Sequence, residues 1–440
     1  MYNNSTLGGN IHMSKAVKKL AIIGFGTVGS GVYETLIEQR NKLERLIGGP
    51  YSIPVVLVKD ASKVRELSDN TEVTDNFQAI IDRKDLDVVV EASPDAEIAY
   101  PYVKALLQQG VSVITANKEL VAKYGEELLT LARTNHCRLF FEAAVAGGIP
   151  ILTSIRHTLK SNVLEKVEGI LNGTSNFILT KMRKEGTSFE TALEEAQAHG
   201  YAEAVPDKDV DGWDAYFKTT ILSHWIYGVA PNWQTEKPKG VRGVNVNDLL
   251  IAETFGGRIK HVASLEKSKD KVSACVEPRF VLSDHALYGV EGVNNGIHVQ
   301  GNIVGSLLFQ GPGAGKFPTA SAVVEDLINF WTGTSEEEPV SGIEFEKMIL
   351  SHSEDDSVVE PLKAWLLTGE KLGPQLENQF TVSYISKVSR VNGREGIVIT
   401  GDNKAIEELF TSLNDTVVVY PLSGDHTEVF PLSIAQTKVS

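Results

Sequence analysis

Six residues narrow the possible folds of this chain more than any others: Gly24-Phe25-Gly26-Thr27-Val28-Gly29. They follow the apolar run Leu20-Ala21-Ile22-Ile23 and open a helix-length segment from Val28 to about Leu46. In such a strand–turn–helix the first glycine permits the tight turn. The second lets backbone approach a pyrophosphate, and the third lets helix and strand pack closely. The helix N-terminus then offers its N–H groups to the phosphates. The glycine pattern alone is weak evidence, and the strand before it and helix after it strengthen it.

The surrounding rhythm agrees. Ile53 to Val58, Leu86 to Val90, Val111 to Ile114 and Arg138 to Phe141 are further short apolar runs separated by helix-length segments. Near-continuous apolar strands alternating with helices predict a parallel sheet covered on both faces. The fold class is therefore α/β, with a doubly wound parallel-sheet (Rossmann) dinucleotide-binding domain over residues 17–150. After Pro150 the rhythm changes. Helices dominate 174–257, with strands near 163–170 and from about 260 to 309, so 151–317 reads as an α+β domain. Gly311-Pro312-Gly313-Ala314-Gly315 ends those strands and leads into a helix near 318–335, expected to complete the first domain. Glu336 to Pro339 reads as a linker, and 340–440 as a small C-terminal α+β module. Residues 1–16 are polar and read as a flexible leader, with Met13 an alternative start.

Composition excludes several classes. A net charge of −15 argues against a general nucleic-acid binder, which needs a basic face. No apolar run is long enough for a membrane helix, and the N-terminus lacks the apolar stretch of a signal peptide. The two cysteines, Cys137 and Cys275, form no C-x-x-C pair, so neither a disulfide framework nor a zinc site is indicated. A reducing cytoplasm and a small-molecule partner are the expectations.

Three polar clusters carry the chemistry. Leu171-Asn172-Gly173-Thr174-Ser175-Asn176-Phe177-Ile178-Leu179 crowds small hydrogen-bonding side chains at one helix start. Asn172 and Thr174 there suit a polar small molecule. Thr115-Ala116-Asn117-Lys118 lies beyond the fourth strand, where ligands of such sheets bind, which makes Thr115 and Lys118 cofactor-site candidates. A lysine at a positive helix N-terminus is electrostatically unfavourable, which favours a functional reading over capping. Gly200-Tyr201-Ala202-Glu203 opens the third cluster, which runs through Asp207, Asp209 and Asp211 to Asp214 and Lys218. The last two share one helix face. They read either as a surface salt bridge or as a carboxylate that holds a substrate ammonium beside a proton-donating lysine. After the second strand, Val58-Lys59-Asp60 offers both a cation for the 2′-phosphate of NADP and an acid for the ribose of NAD. NADP is the reading taken, with NAD allowed. Lys59 is either its phosphate partner or a solvated strand-end lysine.

Together these motifs resemble the homoserine dehydrogenases of the monofunctional bacterial type, over roughly residues 18–330. The resemblance implies NAD(P)-dependent interconversion of L-homoserine and L-aspartate 4-semialdehyde, within threonine and methionine biosynthesis. It implies Lys218 and Lys118 as the catalytic lysines, with Lys218 the proton donor. Glu203 and Asp214 would bind substrate, and Gly200, Gly313 and Gly315 would border substrate and nicotinamide. It also implies a monovalent cation, commonly sodium, held near Glu142 and by carbonyls of Val145, Gly147 and Ile149. From the residues alone that stretch is a strand-to-helix turn. A homodimer or higher homo-oligomer built through the domain after Pro150 is implied too. Three positions depart from the family pattern: Val205 replaces an acid, Lys208 stands where an acid is usual, and Phe217 precedes the lysine. These bear on substrate affinity and loop geometry. Many relatives carry an amino-acid-binding ACT domain at the C-terminus. Here its usual Pro-Gly signature is absent, leaving a degenerate ACT-like module or an unrelated cap. Two competing functions are a dehydrogenase for a related small amino-acid aldehyde or alcohol, and a non-catalytic dinucleotide-binding regulator.

Overall fold

The computed structural model describes residues 16–333 apart from 69, 236, 269 and 270, and within the tail 363–370, 372, 384–386, 388–401, 409–410, 413 and 416–424. The leader to residue 15 and the linker at 336–339 lie outside the described residues. The chain forms two compact units. Of the described residues, the first takes in 16–120, Tyr124–Phe141 and 323–333, and the second Val121–Lys123, Glu142–Ala322 and those of the tail.

The first unit holds strands β1 (Lys18–Ile23), β2 (Tyr51–Leu57), β3 (Glu72–Thr74), β4 (Val88–Glu91), β5 (Ser112–Thr115) and β6 (Leu139–Phe140). Its helices are α1 (Thr27–Glu38), α2 (Arg40–Leu46), α3 (Gln78–Ile81), α4 (Ala96–Gln108) and α5 (Lys118–Thr134). The sheet order is β3-β2-β1-β4-β5-β6, and every pairing is parallel. Leu20, Ala21, Ile22 and Val88 to Val90 are wholly buried, as strands covered on both faces require. The strand order reverses at β1 and β4, which opens the ligand crevice beyond their carboxyl ends.

Two local features differ from expectation. The helix foreseen from Val28 to Leu46 breaks at Gln39, whose backbone (φ −94°, ψ 12°) leaves helical geometry and divides α1 from α2. Strand β3 was not expected, because three residues of which Glu72 is exposed carry no readable alternation. The β1–β2 register shifts between Lys19 and Ala21, opposite the stretch that contains Pro54. A proline has no N–H to give the ladder, and such irregularities are where strands tolerate it. The last part of the helix Lys316–Thr332 belongs to this unit: Phe330 meets Phe140 edge-on, and Trp331 stacks on Tyr51.

In the second unit come α6 (Ile151–Thr158), β7 (Leu164–Ile170), α7 (Gly173–Glu185), α8 (Phe189–Ala198), α9 (Asp207–Val210), α10 (Trp213–Tyr227), β8 (Asn232–Trp233) and α11 (Val246–Thr254). Strands β9 (Gly257–Ser268), β10 (Lys271–Leu282), β11 (Asn294–Gly301) and β12 (Gly305–Pro312) follow. The tail supplies β13 (Lys363–Gly369), β14 (Tyr384–Ile385), β15 (Ser389–Val391), β16 (Arg394–Gly401) and β17 (Val418–Ser423). The long sheet runs β12-β11-β7-β9-β10-β17-β13-β16-β14. The tail strands thus continue this sheet through a parallel β10–β17 pairing. They also share one apolar core with it, in which Ile178, Ile251 and Phe280 meet Leu366, Val398 and Tyr420. Much of the rest of the expected 340–440 module, including most of 402–415, falls outside the described residues.

Candidate active site

In the first unit the glycine turn is sterically determined. Gly24 has φ +88°, and a Cβ there would lie 2.7 Å from Ala92 O. A Cβ on Gly29 would be driven into Gly24 O, whereas Gly26 faces open space and is exposed. The turn thus excludes side chains at Gly24 and Gly29 and stays open at Gly26, the position where backbone approaches a phosphate in folds of this kind. Phe25 packs edge-on against Tyr33, whose hydroxyl accepts from Ser68 N at 2.7 Å. Thr27 is exposed, and Val28 is half-buried at the first turn of α1. Lys59 is exposed beyond the end of β2. The neighbouring Asp60 turns its carboxylate onto Ser62, accepting from its N at 3.0 Å and its Oγ at 2.6 Å. These bonds, aided by Lys63 and Arg65, hold Asp60 below its usual pKa.

At the carboxyl ends of β4 and β5 lies a buried polar network not foreseen from sequence, centred on Glu91. Its carboxylate accepts from Thr115 Oγ1 at 2.6 Å, from Ser93 N at 2.7 Å and from the Ser93 hydroxyl. Burial pushes the Glu91 carboxyl up, and those hydrogen bonds oppose the shift. Thr115 Oγ1 in turn accepts from Asn117 N at 3.0 Å, and Asn117 Oδ1 caps α5 by accepting from Leu120 N at 3.0 Å. Thr115 is therefore engaged inside the protein, and its effect is to fix the turn that presents half-buried Lys118. An acid closing a wholly apolar run, Val88-Val89-Val90-Glu91, was the available signal.

In the second unit the expected helix start assembles around Asn172. Asn172 is the N-cap of α7, its Oδ1 accepting from Ser175 N at 2.8 Å. Its Nδ2 donates to Asp214 Oδ2 and Asp209 Oδ1, each at 2.9 Å. Lys218 Nζ donates to Asp214 Oδ2 at 2.8 Å and to Leu171 O at 2.7 Å. Asp214 and Lys218 are 3% and 7% exposed, so the pair is not a surface salt bridge. The left-handed Gly212 (φ +89°) starts α10; of the acids before it, Asp209 reaches this cluster through Asn172, whereas Asp207 and Asp211 pair with Arg242. Beside Gly212, burial lowers the His261 imidazole to about 4, so it is neutral near Asp214.

The loop with Gly200 and Glu203 is tied to α7 because Thr174 Oγ1 donates to Tyr201 O at 2.6 Å. Gly200 is left-handed (φ +72°) with open space around it. Glu203 is exposed, and its backbone carbonyl accepts from Gln197 Nε2 at 2.9 Å. Val205 is 72% exposed on the same loop. Asp209 and Asn295 were missed as individual site residues. Asn295 Nδ2 donates to the same Leu171 carbonyl at 2.8 Å, and Gly313 lies directly on its side chain. Gly315 is left-handed (φ +112°) just before the last long helix.

Glu142 is buried and caps the start of α6. It accepts from Leu152 N at 2.9 Å and from Thr153 N and Oγ1 at 2.6 Å each. Burial pushes its carboxyl up, opposed by these bonds. Val145, Gly147 and Ile149 follow in a buried turn where Ala146 (φ 56°) and Gly147 (φ 53°) are both left-handed. A Cβ on Gly147 would meet the Gly313 backbone at 2.6 Å.

A glycine turn shaped for a pyrophosphate in one unit, and a buried lysine–carboxylate pair at a polar helix start in the other, define a nicotinamide-dependent dehydrogenase of the doubly wound class. Comparison with known proteins narrows this. A family model described as the homoserine dehydrogenase NAD-binding domain matches residues 24–142, and one described as homoserine dehydrogenase matches 150–328. The homoserine dehydrogenase of Bacillus subtilis is 40% identical over 315 residues, covering 71% of this chain and 72% of that one. The crystal structure of a homoserine dehydrogenase from Thiobacillus denitrificans superposes with a TM-score of 0.80 at 30% identity, covering 93% of this chain and 98% of that one. A hyperthermophilic archaeal homoserine dehydrogenase in complex with NADPH matches with a TM-score of 0.62 at 30% identity, covering 72% and 98%.

The chain belongs to the homoserine dehydrogenase family. It is an oxidoreductase acting on a CH–OH group, interconverting L-homoserine and L-aspartate 4-semialdehyde with a nicotinamide dinucleotide.

Proposed function

We propose that Lys218 holds and delivers the proton of this reaction, with Lys118 assisting. A bound nicotinamide supplies the hydride. The observation that carries the assignment is the fixed geometry of Lys218: Leu171 O and Asp214 Oδ2 accept from its ammonium at 2.7 and 2.8 Å. An ammonium has three N–H donors, so two such bonds determine its direction. In the reducing direction Nζ gives its proton to the oxygen of the former aldehyde, and in the oxidising direction it takes that proton back. Glu203 and Asp214 orient the substrate ammonium, with Gly200, Asn172 and Thr174 holding the polar pocket. Support comes from Asn172, which bridges Asp209 and Asp214, and from Thr174, which ties the Glu203 loop to α7.

For the cofactor we propose NADP, read by Lys59. Asp60, the acid that would favour NAD, is hydrogen-bonded to Ser62. The NADPH bound to the archaeal relative agrees with this reading. Phe25, Thr27 and Val28 line the phosphate turn, Thr115 fixes the turn before Lys118, and Gly313 and Gly315 border the nicotinamide. We also propose a monovalent cation, sodium by resemblance, near Glu142 and the carbonyls of Val145, Gly147 and Ile149. A buried carboxylate beside two consecutive left-handed residues offers the oxygen-rich turn that hard cations prefer. A homodimer built through the second unit, and a cytoplasmic location, complete the proposal. Among the described residues no helix is long and apolar enough to cross a membrane.

The test is NADPH oxidation driven by L-aspartate 4-semialdehyde, run beside NADH and a panel of related small amino-acid aldehydes. Turnover that needs the semialdehyde and vanishes in Lys218→Ala supports the assignment. Intact turnover in a folded Lys218→Ala protein removes Lys218 as proton donor. A cation-depleted buffer, with sodium added back, tests the Glu142 turn.

A further inference from the structure

The carbonyl of Leu171, the residue just after strand β7, accepts two hydrogen bonds, from Lys218 Nζ at 2.7 Å and from Asn295 Nδ2 at 2.8 Å. Strand pairing brings Asn295 there: its neighbour Gly296 on β11 pairs with Ile170 on β7, so Asn295 lies beside Leu171 as the ladder ends. Asn295 is 1% exposed, and its Oδ1 has no hydrogen-bond partner among the described residues. A buried acceptor left unmatched is unfavourable. An apolar residue of similar size would avoid that cost but lose the N–H group on Leu171 O. The glycine loop after β12 is built around the same side chain, since a Cβ on Gly313 would overlap the Asn295 amide.

We infer that Asn295 is a positioning residue for the reaction: its amide N–H orients the Leu171 carbonyl that aims Lys218 Nζ, and Gly313 is glycine so that this amide fits. The inference rests on Lys218 being the proton donor. It extends the reaction machinery to a strand residue outside the lysine–carboxylate cluster. Asn295 acts through Leu171, without contact to the reacting atoms.

The experiment compares wild type, Asn295→Ala, Asn295→Asp and Lys218→Ala by kcat, KM and the pH profile of semialdehyde reduction. NADPH binding by fluorescence and thermal melting report folding. Asn295→Ala is expected to lower kcat about tenfold, the loss of roughly one hydrogen bond's worth of alignment, with KM changed less than about threefold. Its alkaline limb should move to lower pH, because the Lys218 ammonium loses a well-aimed acceptor. Asn295→Asp places a carboxylate beside the lysine and should move that limb to higher pH. A purely structural residue would lower the melting temperature and leave the limb in place. If Asn295→Ala does not fold, Asn295→Asp carries the test alone. Unchanged kcat and limbs in the folded variants, with Lys218→Ala inactive, overturn the inference and leave the Lys218 assignment standing. An active Lys218→Ala removes both.

Discussion

Lys218 and Asp214 form a buried ion pair at 2.8 Å, one turn apart on α10. At a helix surface such a pair contributes little. Here both partners are held by third parties, Leu171 O on the lysine and Asn172 Nδ2 on the aspartate. That arrangement gives a buried charge pair a defined direction, and it makes the pair sensitive to removal of either member.

Lys218→Ala should therefore do two things. Loss of the proton donor is expected to lower kcat by on the order of 10² to 10⁴. Leaving Asp214 buried without its cation should cost about 3 kcal/mol of stability. Steady-state kinetics and urea unfolding separate the effects. Lys218→Met, which fills most of the volume, should be as inactive.

Gly29→Ala should weaken dinucleotide binding and stability together. The added methyl would be driven into Gly24 O, so helix and turn must separate. A loss of about 1–3 kcal/mol is expected from overpacking, measured by urea unfolding. NADPH affinity should fall in parallel. Gly26→Ala meets nothing within 4 Å in the protein, so its effect should appear in binding more than in unfolding.

Lys59→Ala should raise KM for NADPH about tenfold or more and change KM for NADH little, because a cation reads only the 2′-phosphate. No effect on either cofactor would show that Lys59 is a solvated strand-end residue.

Acid should weaken the fold first through His261. Burial lowers its folded-state pKa from 6.5 to about 4. The unfolded chain binds the proton at the higher pH, so this contribution is present above pH 6.5 and is lost as pH falls toward 4. Glu291 opens a lower window. Burial raises its carboxyl, but Lys260, Lys184 and Arg183 outweigh it and hold the group at about 2, so its contribution is lost between 4.5 and about 2. In His261→Gln the urea midpoint should lose its slope between pH 6.5 and 4 relative to wild type. An unaltered slope would assign acid sensitivity elsewhere.

The tail should be energetically part of the second unit. Asp248 of α11 is fully buried, pairs with Arg394 of β16 and accepts from the Tyr420 hydroxyl of β17 at 2.7 Å. Arg394→Ala leaves that carboxylate uncompensated and should cost about 3–5 kcal/mol. Adding Asp248→Asn removes the stranded charge and should recover part of the loss. A double-mutant cycle by urea unfolding gives the coupling.

Much of this was legible in the residues. The alternation of apolar runs with helices foretold a parallel doubly wound sheet, and the glycine spacing foretold the tight turn from β1 into α1, because both are local patterns with a local physical cause. The helix start at 171–179 was readable in the same way, and there Asn172, read as a substrate-site residue, also caps α7. Asp214 and Lys218 were placed on one helix face by their spacing alone. The same spacing left open whether they met in water or inside the protein. Glu91 and Asn295 were not singled out. One closes a buried strand and the other lies within a β-rich stretch, and neither position says which distant backbone group it will meet.

By itself, then, the sequence determined the class of fold, the glycine turn and the family, since each rests on residues close together in the chain. Only the tertiary structure decided that the Lys218 pair is buried, that Asn172 joins Asp209 to Asp214, and that Leu171 O accepts from both Lys218 and Asn295. Those relations depend on β7 pairing with β11 and on α10 packing near the start of α7. Burial and hydrogen-bond partnership are properties of groups brought together from far along the chain, and no local pattern encodes them.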